Sequence, residues 1–157
     1  MGVRALLDRP REIASEMAAL ERRIAAVEEA CTSTTAQWSL APGRGGYRDK
    51  EELMAALADL GARRDALDRQ LQEAQREVDV FLVPFRARYG LRSYAVLRWR
   101  CSLRKTWPEI QKGLEEIYGR KVSLRGAEYW YKEAVRQAEE FCYEKASPVQ
   151  GEVAREA

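Results

Sequence analysis

Histidine is missing altogether from these 157 residues, and cysteine occurs only at Cys31, Cys101 and Cys142. Without histidine the chain lacks the commonest general base and the commonest metal ligand. No two cysteines form a C-x-x-C pair and their number is odd, so neither a zinc finger nor a disulfide framework is expected. The three read as reduced thiols packed as small hydrophobes. Long apolar runs are missing too: no stretch of about 18 apolar residues is present, so no membrane span is expected. The opening MGVRALLDRPRE has neither the apolar core nor the cleavage signature of an export signal. There is no Gly-rich phosphate loop of the G-x-x-x-x-G-K-[ST] type, and no serine or cysteine in a recognisable nucleophile setting. These absences lead us to expect a cytoplasmic protein that is not an enzyme and uses no metal or cofactor.

What the chain does have is charge and helical periodicity. Charged residues make up 33% and hydrophobic residues 46%, ordinary for a helix-rich chain. The net charge of +2 is unevenly spread. Residues 1–90 hold 14 Lys/Arg against 15 Asp/Glu, whereas residues 86–136 hold 13 against 5, a net of +8. Between Arg86 and Lys105 there are seven basic residues and no acidic one. A local excess of this kind fits a polyanionic partner, although a lone basic helix face is more often simply solvated.

The spacing predicts an all-α fold. A first helix is expected to begin after Asp8, with Pro10 in its opening turn. Ile13, Met17, Leu20, Ile24, Val27 and Cys31 then alternate at four and three residues, a heptad seam. The segment TSTTAQWSLAPGRGGYR (32–48) reads as a loop, long enough for a mobile or a functional segment to be expected. Asp49 and Glu52 open a second helix. Leu53, Leu57, Leu60, Arg64, Leu67, Leu71, Ala74, Val78 and Phe81 continue the seam, and Pro84 is expected to stop it. Two seamed helices joined by a loop predict a long antiparallel, coiled-coil-like hairpin over 1–84. Such a hairpin has little core of its own, so it is expected to pack on the C-terminal part or on another copy, with homo-oligomerisation through these helices as the expectation for the latter.

Beyond Pro84, residues 91–103 read as helical but with apolar residues on no single face. Thr106 and Glu109 form a capping-box start with Pro108 in the first turn. Trp107, Ile110, Leu114, Ile117 and Tyr118 make one apolar stripe, and Gly119 is placed to end the helix. Ser123 is positioned as the next cap. Ala127, Trp130, Tyr131, Ala134, Ala138 and Phe141 then mark a buried face, with Arg125, Tyr129, Lys132 and Arg136 roughly opposite. Two helices joined by a short glycine turn, the second with a basic outer face, have the organisation of a helix-turn-helix over 85–145. A disordered tail is expected over 146–157.

The stretch VLRWRCSLRKTWPEI, Val96 to Ile110, resembles the region-4 helix-turn-helix of sigma-70 factors found in small phage regulators of the ArpU and RinA type. Val96, Leu97, Arg100, Lys105, Thr106, Trp107, Glu109 and Ile110 match, followed by Ser123 and Arg125. The N-terminal half is similar to that of related phage proteins in which a charged helix, a Thr/Ser-rich loop and a second charged helix precede this domain. The likeness spans roughly 5–140 and is specific over 96–134. The helix from Trp107 is longer than its counterparts. The resemblance implies a phage or prophage transcriptional regulator that binds double-stranded DNA, with RNA polymerase as a further candidate partner.

On that reading Ser123 to Arg136 enters the major groove. Arg125 is the candidate for a bidentate guanine contact, with Tyr129 and Lys132 along the same face and Arg136 reaching a phosphate. Thr106, Lys105 and Lys112 would hold a backbone phosphate, while Arg104, Arg120 and Lys121 add sequence-independent attraction. Trp107 and Trp130 are expected in the core, and Arg100 as either an internal clamp or a DNA contact. Gly126, costly inside a helix, has no account from sequence beyond close approach to a phosphate. Two alternatives are a DNA-packaging protein of the small-terminase type and a helical interaction module that binds no DNA.

Overall fold

The computed structural model describes residues 2–38 and 46–146, with side chains described for 2–32 and 50–146. Every element among them is helical: α1 (Val3–Trp38), α2 (Gly46–Tyr89), α3 (Leu91–Leu97), a π-helical turn (Arg98–Ser102), α4 (Trp107–Tyr118) and α5 (Leu124–Ala146). None is long and apolar enough to cross a membrane.

The helix boundaries differ from the sequence expectation in three places. First, α1 begins at Val3 rather than after Asp8. Val3 and Leu7 are buried, and the ring of Pro10 is itself enclosed, so packing of the first turns outweighs the missing proline donor. Second, α1 runs past Cys31 to Trp38 and α2 is already formed at Gly46. Residues 32–38 and 46–48 of the expected loop are therefore helical, while 39–45 lie outside the described residues, as does 147–157 of the expected tail. At the start of the Thr/Ser run, Thr32 donates its hydroxyl to the Glu28 carbonyl at 3.0 Å, a back-bond that keeps such a side chain compatible with helix.

Third, α2 passes through Pro84 and ends at Tyr89. The lost bond is the one to the Val80 carbonyl, and Val80 and Val83 lie on the solvent side, 67% and 70% exposed. Water can meet that carbonyl there, while Leu82 and Phe85, both 0% exposed, anchor the helix on either side. Burying each contributes about 1.5–3 kcal/mol, enough together to offset the roughly 3 kcal/mol of an internal proline.

The chain packs as two compact units. One unit is residues 12–72, the outer parts of α1 and α2. Glu16, Ala19, Leu20 and Arg23 line one cleft with Arg63 and Leu67. The helices are thus side by side there and joined at the far end, which makes them antiparallel. Leu20, Ile24, Leu67 and Leu71 are buried in the seam. Leu53, Leu57 and Leu60 are only half-buried, and Met54 is 59% exposed. Arg64, which falls on the seam by spacing, points outward and lies 3.9 Å from the Asp65 carboxylate.

The other unit joins Met1–Arg11 to the chain from Glu73 onward, so the start of α1 and the end of α2 pack with the C-terminal helices. Its main core gathers Val3, Leu7, Val78, Leu82, Phe85, Leu97, Cys101, Ala134, Val135, Ala138 and Phe141. Phe141 sets its ring edge-on to Phe81, Phe85 and Tyr89 at 5.8–6.0 Å. A second cluster of Val96, Ile110, Leu114 and Ala127 lies beneath Trp99, Trp107, Val122 and Trp130, and Tyr131 packs against both clusters. The π-helical turn explains why no single apolar face was visible over 91–103. It inserts an extra residue into the turn, so Val96 with Cys101 and Leu97 with Ser102, each pair five residues apart, are all buried.

Candidate nucleic-acid interface

Two capped helices and a braced turn build the surface that carries the candidate residues. At the start of α4, Thr106 and Glu109 form the capping box, with Glu109 accepting the Thr106 N–H at 3.0 Å. This N-terminus is therefore served by its own side chains, and a carboxylate stands beside the position considered for a phosphate. At the other end Gly119, at φ 66°, closes α4 in the left-handed conformation and donates its N–H to the Glu115 carbonyl at 2.8 Å. Of the expected apolar stripe only Ile110 and Leu114 are fully buried, while Ile117 and Tyr118 are each 41% exposed and lie outside the second cluster.

Two residues that sequence reasoning passed over fix the turn. Gln111 donates its side-chain amide to the Val122 carbonyl at 2.7 Å, and Glu115 accepts the Val122 N–H at 3.2 Å. Their only signal in the sequence is their spacing of four on α4, facing the turn. Ser123 then caps α5, its Oγ accepting the Gly126 N–H at 2.9 Å. A Cβ at Gly126 would stand 3.1 Å from that Oγ and 3.6 Å from Val122 Cγ1. The glycine thus has an internal reason, close fit under its own cap, where the sequence offered only a phosphate.

On α5, Ala127, Ala134, Ala138 and Phe141 are buried and Trp130 and Tyr131 half-buried. Arg125, Glu128, Tyr129 and Lys132 face outward, Tyr129 at 60% exposure. Arg120 and Lys121 are exposed on the turn, Lys112 on α4 and Arg104 just before it, with Lys105 half-buried. Arg136 differs. It holds Glu133 at 2.5 Å and Glu140 at 3.6 Å on its own helix, and this pairing pulls the Glu133 carboxyl below its usual range. Its charge is met within α5, so it adds little to an outward cationic ridge.

The tryptophans are covered rather than presented. The Arg92 guanidinium lies 3.3 Å from the centroid of Trp130, and Arg100 lies 4.5 Å from that of Trp107, which also meets Tyr131 edge-on at 5.4 Å. Arg100 donates to the Lys105 carbonyl at 3.2 Å. Between its two sequence readings, this geometry is that of an internal clamp. Burial, then the nearby charge of Arg11, lowers its proton affinity. Burial also pushes the Cys101 thiol up to about 11 and the Tyr131 phenol up to about 12, away from neutrality. Among the described residues no cluster of three or more His, Cys, Asp or Glu is placed to hold a metal ion.

The chain matches no protein-family model, no curated protein and no solved structure.

Proposed function

We propose that the protein binds double-stranded DNA, with the first half of α5 in the major groove and the turn and α3–α4 connection against the backbone. One observation carries the reading. Among the described residues Arg104, Lys105, Lys112, Arg120, Lys121, Arg125 and Lys132, all within one short stretch of the chain, form no ion pair, as Arg22, Arg23, Arg63, Arg69, Arg76, Arg86 and Arg92 form none elsewhere, while Arg4, Arg9, Arg64, Arg88, Arg98 and Arg136 each lie beside a carboxylate. Over residues 86–136 there are 13 Lys/Arg against 5 Asp/Glu, and such a concentration of unneutralised cations suits a polyanion, because their contacts with phosphates release counterions. Arg125 stands one residue into α5, where a guanidinium can reach a guanine edge.

The likeness of Val96 to Ile110 to the sigma region-4 motif supports a narrower form of this proposal, a phage or prophage regulator of transcription. The half-buried Leu53, Leu57 and Leu60 support association of two or more copies through the outer parts of α1 and α2. Fluorescence anisotropy with labelled duplexes, from about 50 to 200 mM salt, tests DNA binding. Selection of bound genomic fragments supplies the site. Light scattering then separates a dimeric regulator from a ring of the DNA-packaging type. No binding to any duplex at the lowest salt would leave the basic face to an acidic protein and end the proposal.

A further inference from the structure

We propose that the connection between the π-helical turn and α4 is a preorganised phosphate clamp, in which Arg104 and Lys105 meet the duplex backbone and Arg100, Trp99 and Gly113 hold them in place. This rests on the duplex-binding reading and adds which residues grip the sugar–phosphate chain and what sets their position.

Several features converge on four residues of chain. Arg104 takes φ 55°, the only positive φ at a non-glycine residue among the described residues. Glycine would adopt that backbone freely; an arginine there is strained. Its side chain is exposed and unpaired with any carboxylate among the described residues. The next residue is held at both peptide groups. The Lys105 N–H bonds to the Trp99 carbonyl at 2.7 Å, and its own carbonyl accepts from Arg100 at 3.2 Å. Its ammonium lies 5.5 Å from the Trp99 ring centroid.

The holders are themselves held. Trp99 lies so close to α4 that a Cβ at Gly113 would come within 2.7 Å of its ring. Arg100 is stacked on Trp107, and its Nε is buried without a partner. That is a costly place for a guanidinium, and it keeps a fixed positive charge behind the loop. The π-helical turn, a feature frequent at functional sites, aims Trp99 and Arg100 at this connection. Strain, a clamped backbone, a half-buried positive charge and two cations without acidic partners are what a rigid anion contact requires, since a loop already ordered pays no ordering entropy when it binds. Arg100 acts through Lys105 and is a positioning residue.

The test compares the full chain with Arg104→Gly, Lys105→Ala and Arg100→Met, measuring thermal unfolding and duplex affinity across salt. Arg104→Gly is expected to melt at a higher temperature, yet to bind every duplex about threefold to tenfold more weakly with a salt slope shallower by about 0.9. Lys105→Ala should flatten the slope similarly. Arg100→Met removes no phosphate contact, so it should weaken binding while keeping the parent slope, and Arg100→Lys should recover part of the loss. Replacing chloride by inorganic phosphate at equal ionic strength should leave duplex binding unchanged; strong competition would assign the loop to free anions and overturn the clamp. If Arg104→Gly is more stable but binds like the parent, the strained turn serves the fold alone and the inference fails while duplex binding stands. If the parent binds no duplex, both fail together.

Discussion

Gly113 sits so close to Trp99 that a Cβ built on it would stand 2.7 Å from the indole Cη2 and 2.9 Å from Cζ3. This approach seats the π-helical turn on α4. Gly113→Ala gains about 1 kcal/mol of helix propensity but overpacks a half-buried indole, at about 1–3 kcal/mol. We expect a net loss of about 1 kcal/mol in denaturant unfolding. Gly61, in the interior of α2, has nothing within 4 Å of the same added atom. There Gly61→Ala should stabilise by about 0.5–1 kcal/mol. The opposite signs are the test: two losses would mean that Gly61 carries a contact of its own.

Ser123→Ala removes the acceptor of the Gly126 N–H. Loss of such a cap costs about 1 kcal/mol. Ser123→Asp should retain most of the stability, because a carboxylate also accepts from that N–H and suits a helix N-terminus. Unfolding midpoints of the two variants separate capping from any other part the hydroxyl plays.

Arg125→Ala and Arg136→Ala should behave differently although both arginines fall on one sequence stripe. Removing Arg125 should cost about 1–3 kcal/mol at the preferred site and less on unrelated duplexes. Removing Arg136, already engaged by Glu133 and Glu140, should leave affinity and salt slope near those of the parent. Equal losses from the two would refute the assignment of α5's outward face.

Alkaline pH should weaken the fold before neutral or mildly acidic pH does. The Cys101 thiol rises from 9.0 to about 11 on folding, mainly through burial. A raised folded value means its contribution is intact below pH 9 and falls away as pH climbs from 9 to 11, by about 1.4 kcal/mol per unit at most. Tyr131, raised from 10.0 to about 12, adds a second loss beginning near pH 10. Denaturant midpoints against pH should therefore decline above 9. In Cys101→Ala the onset should move up toward 10, and an unchanged onset would remove Cys101 as its source.

Much of the fold was legible wherever local chemistry and burial agree. Thr106 with Glu109, Gly119 and Ser123 each do at their termini what their side chains or backbone freedom favour. The buried face of α5 and the seam through Leu20, Ile24, Leu67 and Leu71 follow from periodicity alone. Pro10 and Pro84 were misleading because proline's cost is local, while the burial of Leu7, Leu82 and Phe85 that offsets it is supplied by distant parts of the chain. Gln111 and Glu115 were illegible because their partner, Val122, offers backbone groups that no residue type advertises.

The sequence by itself determined that the chain is helical, where α4 and α5 start and where α4 stops, and that positive charge concentrates between residues 86 and 136, because capping, spacing and charge are properties of neighbouring residues. Only the tertiary structure decided which cations remain unpaired, that Arg100 clamps Lys105, and that α1 and α2 each run straight through a proline. Those outcomes depend on which groups meet across the fold, and the energy of a salt bridge, a stacked guanidinium or a buried phenylalanine exists only once the partner has arrived.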